Sequence, residues 1–271
     1  MLITQGNVKT FRNVLLVIIT IYLVLGATLS LLQERLLFLP NELEETYVFN
    51  FDIDFEELKL HPESKVLISA VHFKIANPKG IVLYCHGNAG DLTRWGRIAS
   101  SFTAYGYEVL VWDYRTYGKS KGPLSESAIN RDAQYLYNYL HKTFRSEDII
   151  LYGRSLGTGV ASYLAANNAA QQLILETPFY SITDVAKYRF PFFPVEWLMR
   201  YKFPNNEYLP KVHCPITILH GTKDKVVPYR SAQKLKSIGL KGLEFVTIIG
   251  GGHNNLSDFE KFHSVIAKCL H

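Results

Sequence analysis

The chain has 271 residues, 48% of them hydrophobic and 20% charged, with a formal net charge of +5; this composition excludes intrinsic disorder and gives length enough for one large α/β domain. Lysines and arginines are spread along the sequence rather than gathered into a run with interleaved aromatics, so nucleic acid is not expected as a partner. Cys85, Cys214 and Cys269 form no C-x-x-C pair and read as small core residues, with neither a disulfide framework nor a zinc site.

Residues 14–32 carry no charge. As a helix rising about 1.5 Å per residue they cover roughly 28 Å, close to the hydrocarbon thickness of a bilayer. Lys9 and Arg12 precede this stretch and Glu42, Glu44 and Glu45 follow it. The positive-inside rule therefore predicts a single-pass signal anchor, with residues 1–13 in the cytoplasm and the bulk of the chain on the opposite side, whether periplasmic, lumenal or extracellular. A cleaved signal peptide is the competing reading, but the apolar stretch is long for one and no clean A-x-A site follows it. Neither an N-terminal glycine signal nor a C-a-a-X box is present, so lipidation is not indicated.

Residues 33–65 read as a linker with the first strands, and residues 66–75 as a strand in an antiparallel hairpin. Ile81-Val82-Leu83-Tyr84-Cys85 is a short apolar β-rich run, followed by helical spacing over 91–105. Residues 107–112 predict the next strand. A helix follows from about Ser125, where Ile129, Ala133, Leu136, Tyr137 and Leu140 recur at spacings of three and four. Residues 148–152 return to strand, 153–168 to a helix of small residues, and 173–175 to strand. This βα alternation predicts a mostly parallel sheet covered by helices on both faces, with one domain over residues 66–271. The alternation breaks at about 177–213 into a segment rich in Phe, Tyr and Pro, read as a cap insertion. Strands at 216–220 and 245–249 and a last amphipathic helix close the domain.

Gly153-Arg154-Ser155-Leu156-Gly157 lies between a strand and a helix, the setting that a G-x-S-x-G nucleophile elbow requires. The sharp turn strains the serine backbone, and flanking glycines let neighbouring elements approach. A bland reading is a βα turn whose serine caps the helix. What separates the two is the sequence downstream, where Asp224 follows the strand ending at His220-Gly221 and His253 follows Gly250-Gly251-Gly252 after the next strand. Histidine can take the serine proton and the carboxylate can hold the ring's other nitrogen, so Ser155, Asp224 and His253 are the candidate catalytic residues. His86-Gly87-Asn88-Ala89-Gly90-Asp91 follows the strand ending at Cys85. The backbone N–H groups of Asn88 and Leu156 are the candidate oxyanion donors, with Ala89 as the alternative to Asn88. His86 and the Asp113-Tyr114-Arg115 turn with Gly118 read as structural, the turn bracing the oxyanion loop. Asn255-Leu256-Ser257 fits a glycosylation sequon, though a glycan there would obstruct His253.

These motifs resemble the α/β-hydrolase superfamily, and within it the membrane-anchored bud-emergence type of serine hydrolase; residues 33–40 after the anchor share the likeness. The resemblance covers the chain from about Val66 onward. It implies the α/β-hydrolase fold, Ser155 as nucleophile, Asp224 as orienting acid, His253 as base, an acyl-enzyme intermediate and no cofactor. The expected substrates are esters or thioesters, acyl or lipid-like. Some relatives remove fatty acyl groups from protein cysteines, but the N-terminal cysteine cluster that anchors those enzymes is missing here. A peptidase with the same triad and a non-catalytic lipid-binding scaffold are the competing functions. No paired acidic residues are assignable to a substrate amine, and no triad member is missing. The aromatic segment 190–203 reads as a cap packing on the domain, with an acyl pocket or a membrane contact as alternatives. Nothing in the sequence specifies an oligomer.

Overall fold

The computed structural model describes residues 5–271; residues 1–4, part of the segment expected in the cytoplasm, lie outside the described residues. Helix α1 (Gln5–Leu37) is longer than the charge-free stretch that predicts it and continues five residues beyond. Within its residues 9–37, an 18-residue stretch reaches a mean hydropathy of 2.6, and the helix is long and apolar enough to cross a membrane. The hydroxyls of Thr20 and Thr28 bond back to the carbonyls of Leu16 and Val24, both at 2.8 Å, so these polar atoms do not need water. Residues 11–25 stand exposed, Tyr22 among them touching the rest of the molecule on one side, and from Gly26 on one face of the helix is covered.

Eight strands form one sheet: β1 (Phe55–Leu60), β2 (Ile68–Phe73), β3 (Ile81–Cys85), β4 (Glu108–Trp112), β5 (Ile149–Arg154), β6 (Gln172–Glu176), β7 (Ile216–Gly221) and β8 (Leu243–Ile248). Their order is β8-β7-β6-β5-β3-β4-β2-β1. The first two strands pair antiparallel and β2 runs antiparallel to β4; every other pairing in the sheet is parallel. Apolar residues fill both faces because each face is covered. Leu83, Leu110 and Leu151 meet Ile129, Leu136, Val160 and Leu164 from α3 (Glu126–Leu140) and α4 (Gly157–Asn167). Tyr84, Val111 and Tyr152, one residue along each strand, face Trp95 of α2 (Leu92–Ser100) and, with their neighbours, the last helix through Phe262 and Ile266.

The cap lies where the sequence breaks its alternation, as α5 (Ile182–Arg189) followed by the helical turns Val195–Leu198 and Asn205–Tyr208. Glu126 pins its return, accepting from the backbone N–H groups of Lys202 at 2.6 Å and Phe203 at 3.0 Å. Helix α6 (Tyr229–Lys236) has no counterpart in the sequence reading, because its buried face is Ser231, Ala232 and Leu235, too little apolar surface to show a period. The chain closes with α7 (Glu260–Cys269). The segment 33–65 does more than link: Leu39–Pro40 runs parallel to Ala89–Gly90 as a two-residue ladder.

Behind the sheet edge Arg115 makes a two-pronged pair with Asp132, at 2.7 and 2.8 Å, with both groups buried. Arg115→Ala would leave the carboxylate buried without its partner, a loss of about 3–5 kcal/mol. The expected outcome is a thermal midpoint lower by on the order of 10 °C for the detergent-solubilised chain, read by circular dichroism.

Candidate active site

Strand β5 ends at Arg154 and α4 begins at Gly157, leaving two residues to reverse the chain. Ser155 takes the strain with φ +52°, in the left-handed region, at roughly 1–2 kcal/mol for a residue with a side chain. Local hydrogen bonds hold it there. Its N–H donates to the Glu176 carbonyl at 2.9 Å, and its carbonyl accepts from the Thr158 N–H at 3.0 Å and hydroxyl at 2.6 Å. Both flanking glycines are sterically required. A Cβ on Gly157 would lie 2.0 Å from the Cys85 carbonyl oxygen, and one on Gly153 2.5 Å from that of Gly157.

His253 and Asp224 arrive on the loops after β8 and β7. Ser155 Oγ is 2.9 Å from His253 Nε2, and His253 Nδ1 is 2.8 Å from Asp224 Oδ2. The other carboxylate oxygen of Asp224 accepts the N–H groups of Val226 and Val227, each at 2.8 Å, which fixes the orientation of the group. His220, with Nε2 3.7 Å from Asp224 Oδ2, is held neutral because burial pushes its pKa down. The His253 turn is braced by the Asn255 side chain, which accepts the Gly252 N–H at 2.7 Å. The three residues singled out in the sequence thus form one continuous line of hydrogen bonds.

The loop after β3 is locked on both sides of Asn88. His86 Nδ1 lies 2.6 Å from the Gly87 carbonyl oxygen, and its neutral ring donates there. Since a peptide unit is planar and trans, this turns the Asn88 N–H to the opposite side. The carbonyl of Asn88 in turn accepts the Leu39 N–H at 2.9 Å and the Tyr117 hydroxyl at 2.7 Å. Trp95 Nε1 donates to the Ala89 carbonyl at 2.8 Å, and the Tyr114 hydroxyl to that of His86 at 2.7 Å. Among the described residues, neither the N–H of Asn88 nor that of Leu156 is paired with an acceptor. Asn88 and Leu156 both line the space beside Ser155, whereas Ala89, opposite Leu39 in the ladder, is not among the described residues that line it.

That space is a cavity of about 340 Å³. The cap supplies one wall through Phe179, Ile182, Val185, Phe190 and Leu198, and α1 supplies another through Leu29, Gln33, Leu36 and Leu37. Arg189 is the one charged residue among the described residues that line it, and its guanidinium donates to the Val226 carbonyl at 2.9 Å. Sequence reasoning missed the α1 wall, as well as Tyr117, Trp95 and Thr158. The available signal for α1 was Ser30 and Gln33, two polar residues three apart at the end of an apolar run.

Residues 76–208, just under half of the chain, match the model of a family described as serine aminopeptidase, S33. An uncharacterized protein of Mycobacterium tuberculosis is 32% identical over 176 residues, 64% of this chain and 63% of that protein. The lysophosphatidylserine lipase ABHD12 of Mus musculus is 33% identical over 193 residues, 63% of this chain and 48% of the lipase. The match therefore spans less than two thirds of either relative. Among solved structures, an esterase of Pyrococcus furiosus superposes with a TM-score of 0.66 at 17% identity, covering 86% of this chain and 97% of the esterase. An α/β-hydrolase of Vibrio vulnificus gives the same score at 20% identity, covering 79% and 81%.

Beneath the loop, His86 Nε2 and Asp113 Oδ1 face each other at 3.5 Å, both fully buried. Burial pushes the His86 pKa down to about 4 and that of Asp113 well above the carboxylate range, so charge is disfavoured on both. Asp113 Oδ2 also accepts the Leu92 N–H at 3.2 Å. Asp113→Asn, which mimics the neutral acid, is expected to cost less than about 1.5 kcal/mol, whereas Asp113→Ala strands the Leu92 N–H and costs about 1–3 kcal/mol. Chemical denaturation of the two variants checks this; a loss in Asp113→Asn as large as in Asp113→Ala would mean that the native carboxyl is ionised.

Proposed function

We propose that the chain, whose fold is that of the α/β-hydrolases, is a serine hydrolase cleaving carboxylic esters or thioesters of acyl, lipid-like substrates. The observation that carries this is the line from Ser155 Oγ through His253 to Asp224, at 2.9 and 2.8 Å, ending in the apolar cavity. Ser155 Oγ attacks the substrate carbonyl while His253 Nε2 takes its proton, and Asp224 stabilises the imidazolium and holds its tautomer. The N–H groups of Asn88 and Leu156 receive the oxyanion, each worth roughly 3 kcal/mol in the transition state. His253 then returns the proton to the departing alcohol or thiol. A water deprotonated by the same ring hydrolyses the acyl-enzyme and regenerates Ser155.

The family description of residues 76–208 raises the aminopeptidase alternative. Such an enzyme needs acidic groups to hold a substrate amine, and no carboxylate is among the described residues lining the cavity. Apolar walls and the similarity to a lysophosphatidylserine lipase favour acyl lipids instead. A non-catalytic scaffold has no use for a strained serine aligned with both partners. We further read α1 as a single-pass anchor with residues 1–13 cytoplasmic and the hydrolase domain across the membrane, which its hydropathy, its exposed length and the basic residues before it support.

A fluorophosphonate probe is expected to label the chain, and Ser155→Ala to abolish the label; equal labelling of the variant would sink the assignment. His253→Ala should lower turnover of short acyl esters by at least about a hundredfold, measured by steady-state kinetics.

A further inference from the structure

Helix α1 and the cap are joined along one helical face. Tyr22 Oη donates to the Phe192 carbonyl at 2.8 Å, and its ring stacks on Phe193 with centroids 4.9 Å apart and planes within 1°. Gly26, one turn on, lies against the same Phe193 ring. Another turn along, Ser30 Oγ and Gln33 Nε2 both donate to the Leu198 carbonyl at 3.1 Å, and Gln33 Oε1 accepts the Arg200 N–H at 2.7 Å.

The level of these contacts is informative. Tyr22 lies ten residues before Leu32, about 15 Å along the helix axis. If residues 14–32 span the hydrocarbon, a contact at Tyr22 is made well inside it. Sliding the span toward the N-terminus until Tyr22 reached the interface would bury Lys9 and Arg12 instead, at a cost of several kcal/mol. The cap loop suits an apolar surrounding. Phe192 and Trp197 are 85% and 89% exposed, no charged residue occurs from Phe190 to Val195, and Glu196 is paired with Lys187 at 2.7 Å. Pro191 and Pro194 carry no N–H, while the Phe192 and Leu198 carbonyls are bonded by α1. Irregular backbone at membrane depth is tolerated only when protein satisfies it in this way.

Resting on the anchor and hydrolase readings above, we infer that residues 190–197 are immersed in the leaflet on the hydrolase side, and that the cavity between α1 and the cap takes its acyl substrate sideways from that leaflet. The occupant is a bilayer amphiphile whose chain lies along Leu29, Leu36 and Phe190 and whose ester bond reaches Ser155.

The full chain in phosphatidylcholine vesicles provides the test. With lipids brominated along the acyl chain, emission from Trp197, isolated by difference from Trp197→Phe, should fall at least about twofold, as for an aromatic seated below the headgroups; Trp95 and Trp112 are buried in the domain. Phe192→Ser with Trp197→Ser should reduce turnover of a vesicle-borne long-chain ester about tenfold and leave a soluble acetate ester unchanged. Unquenched Trp197 in a chain that resists carbonate extraction would overturn the inference while leaving the anchor intact, as would equal turnover of the vesicle-borne ester. Extraction by carbonate would remove the anchor and the inference together. Absence of the soluble-ester reaction in the unmodified chain would strike the hydrolase reading and the substrate route with it, while the quenching, which reports immersion without catalysis, would still decide the immersion of residues 190–197.

Discussion

The first turn of α4 touches the backbone at Cys85 and His86 so closely that no side chain fits between them, and the geometry of the site follows from this contact. The loop after β3 and the elbow after β5 belong to adjacent parallel strands, in register at Cys85 and Gly153. The contact at Gly157 sets how near two backbone N–H groups from separate loops approach one another. Preorganised donors cost no rearrangement when charge develops between them. His86, Tyr114 and Tyr117 then hold the far side of the loop, so a group of buried aromatic and imidazole rings does for Asn88 what the sheet does for Ser155.

Much of this was legible in the sequence, for a physical reason. Strand β3 occupies Ile81–Cys85 as its unbroken apolar run implies, because a central strand covered on both faces has no polar alternation to blur its ends. Ser155, Asp224 and His253 stood out because each follows a strand on the same edge of the sheet, and the structure brings their side chains together. Other features depend on partners remote in sequence. The orientation of the peptides on either side of Asn88 is decided by His86, Leu39 and Tyr117, and no local pattern distinguishes Asn88 from Ala89. Helix α6 escaped notice because Tyr229, Arg230, Lys234 and Lys236 leave its buried stripe narrow.

The apolar helix was legible as a length and a composition, yet its part in the site was not. A hydropathy window averages over all faces of a helix, whereas Tyr22, Gly26, Ser30 and Gln33 matter because they share one face. Three of them, Tyr22, Ser30 and Gln33, bond the cap through polar side-chain groups, and on the membrane reading proposed above those bonds are made where water is scarce and competes weakly. The same helix therefore presents lipid-compatible surface on most of its circumference and a docking seam on the remainder.

The ladder between Leu39 and Ala89 ties this helix to the reaction centre in a way that bears on processing. A peptidase that severed the chain at the end of α1 would release more than a tether. The cavity would lose the wall formed by Leu29, Gln33, Leu36 and Leu37, and a cut just beyond them would loosen the Leu39 N–H from the Asn88 carbonyl. On the anchor and hydrolase readings proposed above, shedding from the membrane would amount to inactivation rather than maturation.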